Sequence, residues 1–317
     1  MKLSIPYVKG ISKILEQYKD NIYDVYFTDD VLLSARQKNI NNYYTTLIKE
    51  LELIQNMGIK RTFLLNSILI NQPTEKKLWT TKNDINSNHI STIKGLYDII
   101  TINNLMHLYD DKLKSSISGK LLKCSVNNHI DSHYRIDEMF KVAQWDVINI
   151  DRKVNRNNKL LNSLCEDINK RGAKSVVLVN EGCHWDCIFK EFCDISQVDK
   201  NQTTQFDCGV HYNESRPESF LKTPLLFHHN LKHINADVFK ISGRFNDAKN
   251  IEKRIRHYLY GEDISIRELI DKPIQEYDKA GDILYSSLYK YNMIEHLYNC
   301  KNDCLHCSKC DKIREIE

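Results

Sequence analysis

Nothing in the chain stays apolar for long enough to cross a bilayer, which excludes an α-helical membrane protein. The start, Met1-Lys2-Leu3-Ser4-Ile5-Pro6, lacks the basic stretch and apolar core of a signal peptide, so the cytoplasm is the expected compartment. A strong excess of one charge is missing too. Lys and Arg number 45 against 42 Asp and Glu, and a net charge of +3 gives no argument for nucleic acid or an anionic membrane. Gly (10) and Pro (5) are scarce beside abundant Asn, Ile and Lys, a coding bias without mechanistic content. There are no internal repeats and no low-complexity segments. H-E-x-x-H and G-x-S-x-G are also absent, which removes two familiar hydrolase signatures.

What the chain does have is cysteine in clusters. Eight of its ten cysteines form two groups: Cys183-x3-Cys187-x5-Cys193-x14-Cys208, and Cys300-x3-Cys304-x2-Cys307-x2-Cys310 within the last eighteen residues. Where thiols stay reduced, clustered cysteines are metal ligands or redox groups more often than disulfides. Cys124 and Cys165 stand apart and read as incidental.

Short β-rich runs alternate with longer amphipathic segments from end to end. The runs are Lys2–Pro6, Asp24–Thr28, Arg61–Leu65, Ile99–Asn103, Leu121–Val126, Asp146–Ile150, Ser175–Val179 and Asp237–Ser242. Several are continuously apolar, as in Val176-Val177-Leu178-Val179, the pattern of parallel strands buried on both faces. Helix-period segments such as Ile11–Tyr18, Tyr43–Asn56, Arg135–Ala143 and Lys159–Lys170 lie between them, with Gly58, Gly95 and Gly172 near the expected C-caps. Eight strands, most followed by a helix, predict a (β/α)8 TIM-like barrel over residues 1–261. An open doubly wound sheet would need a Gly-rich phosphate turn after its first strand, and Tyr7-Val8-Lys9-Gly10 is not one. Beyond Gly261, Ile264–Ile270 and Tyr285–Tyr298 predict helices, so residues 262–317 read as a helical extension on the barrel that ends in the second cysteine group.

A barrel gathers function at the C-terminal ends of its strands. Those ends carry Asn66, Asn103 and Asn104, then Ser125, Asn127, Asn128, His129 and Asp131, then Asp151, Arg152, Asn155 and Arg156. Asn180, Glu181 and Cys183 follow the seventh strand, and Lys240, Ser242 and Arg244 the eighth. Together they predict a polar, amide-rich pocket, although any one of them serves equally as a loop or cap residue. Cys183 and Cys187, with three residues between them at a strand end, suit an iron or zinc ion at the barrel mouth, and Gly182 permits the tight turn. Cys193 and Cys208 would complete four ligands, with His184 and His211 as spare nitrogen donors. The C-terminal thiols sit among Lys, Asn and Asp, where four metal-free cysteines would be reactive, so they read as a zinc knuckle or a second Fe–S cluster. Their C-x3-C-x2-C spacing matches radical SAM enzymes, but no barrel follows it, which argues against that chemistry.

Val179-Asn180-Glu181-Gly182-Cys183-x3-Cys187 together with Val238-Phe239-Lys240-Ile241-Ser242-Gly243-Arg244 resembles the collagenase-like peptidase family U32, in particular its shorter single-barrel members. Lys123-Cys124-Ser125-Val126-Asn127 resembles the family's strand ending in Ser and a polar pair. In typical members a Pro follows the second cysteine and a His lies further on, where this chain has Ile188 and Cys193. The resemblance implies a (β/α)8 protein whose Cys183, Cys187, Cys193 and Cys208 ligate a [4Fe–4S] cluster and support oxygen-independent hydroxylation. It also implies that Lys240 and Arg244 bind an anionic substrate or oxygen donor.

Three functions follow as expectations. The first is a redox-type modifying enzyme acting on a small anionic or aromatic substrate, a nucleic-acid base or a peptide. In it Lys240, Arg244 and Arg156 would hold the anion, Asn127 or His129 would orient the acceptor, and Glu181 would stand beside the cluster. The second is a peptidase, for which Cys124 with His129 or His133 is the available pair. The third is a non-catalytic Fe–S electron carrier working with a partner subunit. RNA is a further partner class, because Lys253, Arg254 and Arg256 precede Tyr258 and Tyr260, although a solvated helix face explains the same residues.

Overall fold

A computed structural model describes residues 1–28, 43–65, 91, 93–184, 187, 190, 221–243, 246–271, 279–300, 303 and 306–310. The eight runs form eight parallel strands: β1 (Leu3–Pro6), β2 (Ile22–Phe27), β3 (Lys60–Leu65), β4 (Ile99–Ile102), β5 (Leu121–Cys124), β6 (Val147–Asn149), β7 (Lys174–Leu178) and β8 (Val238–Lys240). Each pairs with the next, and β8 returns to β1 through Leu3↔Phe239 and Ser4↔Lys240, so the sheet closes into a barrel in sequence order. A closed sheet has no edge left to pair with another chain.

The helices that face the strands are α1 (Ser12–Leu15), α2 (Tyr43–Asn56), α3 (Asp111–Ile117), α4 (His133–Val142), α5 (Asn158–Lys170), α6 (His228–Leu231) and α7 (Ala248–Tyr260). Side-chain caps start several of them. Asp110 accepts from Leu113 N, Ser132 from Arg135 N, and Asp247 from Asn250 N, each satisfying a helix-end N–H. Of the three expected terminal glycines, Gly58 and Gly172 take left-handed φ values of 74° and 84°, whereas Gly95 sits in the 3-10 turn Lys94–Leu96. On α5, Leu161, Leu164, Cys165 and Ile168 share the face buried against the barrel wall. Cys165 is thus a core residue, and burial pushes its thiol up to about 12.

The barrel interior is layered. Val147, Val176 and Val238 of β6, β7 and β8 form a small apolar cluster separate from the main core. Beside it, Lys123 of β5 reaches across the lumen to Asp24 of β2 at 2.7 Å, with Thr62 of β3 donating to the same carboxylate. Both charges are out of water, at 1% and 0% exposure. A charged residue on a strand otherwise read as buried is tolerated only because closure of the barrel brings its counter-charge opposite.

The extension comprises α8 (Ile266–Leu269), α9 (Tyr285–Lys290) and α10 (Met293–Tyr298). It is stitched to the C-terminal face of the barrel. Asn180, fully buried past β7, donates to the carbonyls of Ser242 and Leu269 and accepts from the Ser242 N–H at 2.7 Å. Arg254 of α7 spreads its guanidinium over the carbonyls of Ser242, Glu268 and Ile270. A Cβ on Gly243, whose φ is +128°, would run into that guanidinium, so glycine is required there on two counts. The expected single helix over Tyr285–Tyr298 divides in two. Leu288 and Met293 are both buried but five residues apart, about 140° away from a common face on a continuous helix. Asn292, at φ 57°, breaks the helix and turns the second half back onto the core.

A capping box starts α8: Ser265 Oγ accepts from Glu268 N at 3.2 Å, and Glu268 Oε2 accepts from Ser265 N at 3.4 Å. Ser265→Ala should cost about 1 kcal/mol in urea unfolding at pH 7. A change under a few tenths would show that α8 is held by its tertiary contacts alone.

Candidate functional site

The best-formed arrangement on the C-terminal face joins the ends of β5 and β6. Past Cys124 the chain makes a 3-10 turn, Val126–Asn128, in which Ser125 Oγ accepts from Asn127 N. The turn ends at His129 in the left-handed region, φ 53° and ψ 52°, an uncommon conformation for a residue with a side chain. That backbone carries the imidazole to Asp151, just past β6, with Nδ1 2.7 Å from Oδ2. Asp151 is fixed in turn. Its N–H donates to Ile130 O at 2.9 Å, its Oδ1 accepts from Lys153 N at 2.9 Å, and it is 2% exposed. Burial pushes its carboxyl up, but the hydrogen bonds from His129 and Lys153 and the charge of Arg152 outweigh this and hold it below the usual carboxylate range. An ionised Asp151 can only accept, so the neutral imidazole carries its hydrogen on Nδ1 and keeps the Nε2 lone pair.

His129 borders a cavity of about 500 Å³ lined also by Asn103, Asn104, Asn127, Asn128, Arg135 and Glu138. Four of the expected asparagines thus meet here with Leu105, Ile130 and Met139, whereas Arg152, Arg156, Glu181 and Lys240 do not line this cavity. Asn128 Oδ1 is buried with no hydrogen-bond donor among the described residues.

One strand further round, Glu181 and Cys183 follow β7. Glu181 is 7% exposed; its Oε1 accepts from Cys183 N at 3.2 Å and its Oε2 lies 3.7 Å from Arg152 Nε. Arg152, the residue that follows Asp151, thus links the thiol loop to the end of β6. Cys183 is buried at 8% exposure, and Cys187 is half-buried, with its carbonyl accepting from Lys190 N. Two soft sulfur donors on one loop, one of them shielded from water, fit a thiolate-ligated iron or zinc centre in their chemistry. Cys193, Cys208 and His211 lie outside the described residues, as do Arg244 and Asn66. Among the described residues, no three His, Cys, Asp or Glu side chains are gathered as metal ligands would be.

Other expected site residues have structural partners. Lys240 is 9% exposed, with Nζ 4.6 Å from the centre of the Tyr26 ring, and Tyr26 OH donates to Ile241 O. Arg156 donates to the carbonyls of Leu221 and Thr223, and Asn155 to those of Leu178 and Pro224. These two side chains bind the segment returning from the Cys183 loop against the barrel mouth.

The Cys–His pair weighed for a peptidase is not assembled. Cys124 is fully buried and burial pushes its thiol far up, whereas His129 is bonded to Asp151. His133 lies on the outside of the barrel, bonded to Asp167 and Ser163 of α5. The basic stretch on α7 does not present a stacking platform either. Lys253 pairs with Glu268 and Arg256 with Glu262, Arg254 and Tyr258 are buried, and Tyr260 alone of the two tyrosines is exposed.

The second cysteine group is represented by Cys300, Cys307 and Cys310, with Cys304 outside the described residues. The three line a separate cavity of about 480 Å³ whose wall includes Lys222, on the segment returning from the Cys183 loop. Apart from Lys222, the residues that line it belong to the extension. No helix among the described residues is long and apolar enough to cross a membrane.

The backbone is similar to that of a U32 peptidase of known structure, with a TM-score of 0.53 and 10% sequence identity over 77% of this chain and 93% of that one. Two other solved structures overlap it less well: a phosphoribosylanthranilate isomerase from Thermotoga maritima (TM-score 0.40, 9% identity, 81% and 98% covered) and a thermostable xylanase mutant from Cellvibrio japonicus (0.39, 6%, 77% and 86%). At such identities the likeness is one of fold. No family model matches the chain, and no curated protein matches it in sequence.

Proposed function

We propose that the chain is an iron–sulfur-dependent modifying enzyme of the U32 type, with its chemistry at the barrel mouth between the Cys183 loop and the His129–Asp151 pair. What supports the reading is that Cys183 leaves β7 on the face where His129 and Asp151 meet, and that Arg152 with Glu181 connects the two. Cys183, Cys187, Cys193 and Cys208 would hold a [4Fe–4S] cluster, which supplies electron transfer or activation of an oxygen donor when bound. The chain's own groups do the rest. Asp151 fixes the tautomer of His129, and Nε2 accepts a proton from a substrate seated among Asn103, Asn127 and Asn128. Arg152 and Glu181 keep the thiol loop in register with that base. Lys240 and Arg244 would offset the charge of an anionic substrate or oxygen donor. The substrate class is a small polar molecule, anionic or aromatic, carrying both hydrogen-bond donors and acceptors.

Anaerobic purification followed by an absorption spectrum and iron and sulfide counts tests this. About four iron and four sulfide per chain are expected in the wild type. In Cys183→Ala the iron should fall to background while zinc is unchanged. A colourless wild-type protein free of iron would end the proposal. Hydrolysis is the second reading, because a His–Asp pair beside an asparagine-lined cavity can also activate water. Activity that survives complete removal of iron would select it.

A further inference from the structure

The cysteine spacing near the C-terminus leaves open which atoms would surround a metal and which metal it would be. The structure adds a donor that the cysteine pattern does not contain. His296, on α10, lines the same cavity as Cys300, Cys307 and Cys310, with Nε2 4.0 Å from Cys307 Sγ. We infer that His296, Cys300, Cys307 and Cys310 form a closed zinc site that pins the tail to α10. This rests on the reading that the C-terminal cysteines bind a metal at all.

His296 and Cys300 are four residues apart at the end of a helix. Past the helix the chain keeps turning, with Asn299 N donating to Glu295 O and Cys300 N to Leu297 O, and both side chains line the same cavity. Cys307 and Cys310 have the x2 spacing of a metal knuckle. One pair from the helix end and one knuckle pair, in total three sulfurs and one nitrogen, match the number and type of donors in a tetrahedral structural zinc site without Cys304, which lies outside the described residues. An iron–sulfur cluster is characteristically held by cysteine alone, so the imidazole argues for zinc. Three thiolates around Zn²⁺ leave one net negative charge, and Lys222 and Lys309 border the cavity to offset it.

The helix that carries His296 is itself fixed. Met293, Ile294 and Leu297 are buried, and the Tyr298 carbonyl accepts from Asn158 at the start of α5. The metal would therefore tie the knuckle to a docked helix rather than close a free loop. The donors stand around the cavity without converging, and an ion supplies that last step, since ligand assembly and metal binding are coupled.

The test is a Co²⁺ titration and zinc analysis of the full chain, repeated in Cys183→Ala so that the barrel-mouth loop lacks its first thiol. Expected are about one zinc per chain after dialysis and a tetrahedral Co²⁺ spectrum whose sulfur charge-transfer intensity corresponds to three thiolates. His296→Ala should lose the metal to a weak chelator, and Cys304→Ser should keep it. His296→Cys should restore binding with the intensity of four thiolates, which a misfolded tail could not do. A four-thiolate spectrum in the wild type, loss of metal in Cys304→Ser with retention in His296→Ala, or iron and sulfide at this group would overturn the role of His296 while leaving a metal site. No bound metal in any of these proteins would remove the site altogether.

Discussion

Lys123→Met should destabilise the protein by about 3–5 kcal/mol at pH 7, the cost of leaving one member of a buried ion pair without its partner. Methionine fills most of the volume of lysine, so the loss comes from Asp24, which is fully buried and is left facing two hydroxyls in place of a cation. The pH dependence separates this from a packing defect. Burial pushes the Asp24 carboxyl up, but the Lys123 charge and hydrogen bonds from Lys123, Ser4 and Thr62 outweigh it and hold it below its usual value. The unfolded chain therefore takes up this proton at higher pH than the folded one. The contribution is fully present above about pH 4 and is lost as the pH falls through the folded value. In Lys123→Met the countercharge is gone and burial dominates, so the folded carboxyl binds its proton more tightly than the unfolded one. That variant should lose stability as the pH rises above about 4, where the wild type does not. Asp24→Leu with Lys123→Met should recover most of the deficit. Urea unfolding from pH 3 to 8 reads all of these. A single variant within 1 kcal/mol of wild type at pH 7, or one with parallel pH dependence, would show that the pair is not what holds the lumen together.

Arg254→Met is expected to cost about 3–5 kcal/mol by another route. Here the buried charge is removed, and the carbonyls of Glu268 and Ile270 lose the Arg254 donor at once, while that of Ser242 keeps its bond from Asn180. Each left dry costs about 1–3 kcal/mol, so the cheapest response is for the segment carrying Glu268 and Ile270 to lift into water. Hydrogen exchange at residues 265–271 should therefore rise before global unfolding. Arg254→Lys should rescue little, because one ammonium cannot reach three acceptors arranged around a planar fork. Full rescue by lysine, or unchanged exchange in this segment, would assign the docking of the extension to its apolar contacts with α7 instead.

These two residues also show where the sequence stops being informative. All eight strands are legible, because parallel strands covered on both faces read as continuous apolar runs, and their boundaries differ from the structure by at most two residues at either end. Cys183, Cys187, Glu181 and His129 are legible as candidates from their places at strand ends. Asp151 reads only as one more polar residue at a strand end. Its pairing with His129 spans 22 positions and depends on the left-handed turn at His129. Arg254 looks like part of a solvated basic face, yet α7 turns it inward onto carbonyls that lie outside its own helix.

The sequence by itself determines the barrel, the order of its strands, the face that carries polar residues and the grouping of the thiols. Those follow from local periodicity and from which residues end each strand. Only the tertiary structure decides that Lys123 meets Asp24 across the lumen, that Asp151 sets the tautomer of His129, and that His296 joins the wall of the second thiol cavity. Each of these juxtaposes residues from different elements. A charge or an imidazole acquires its role from the group opposite it, and closure of the barrel and docking of the extension put that group in place.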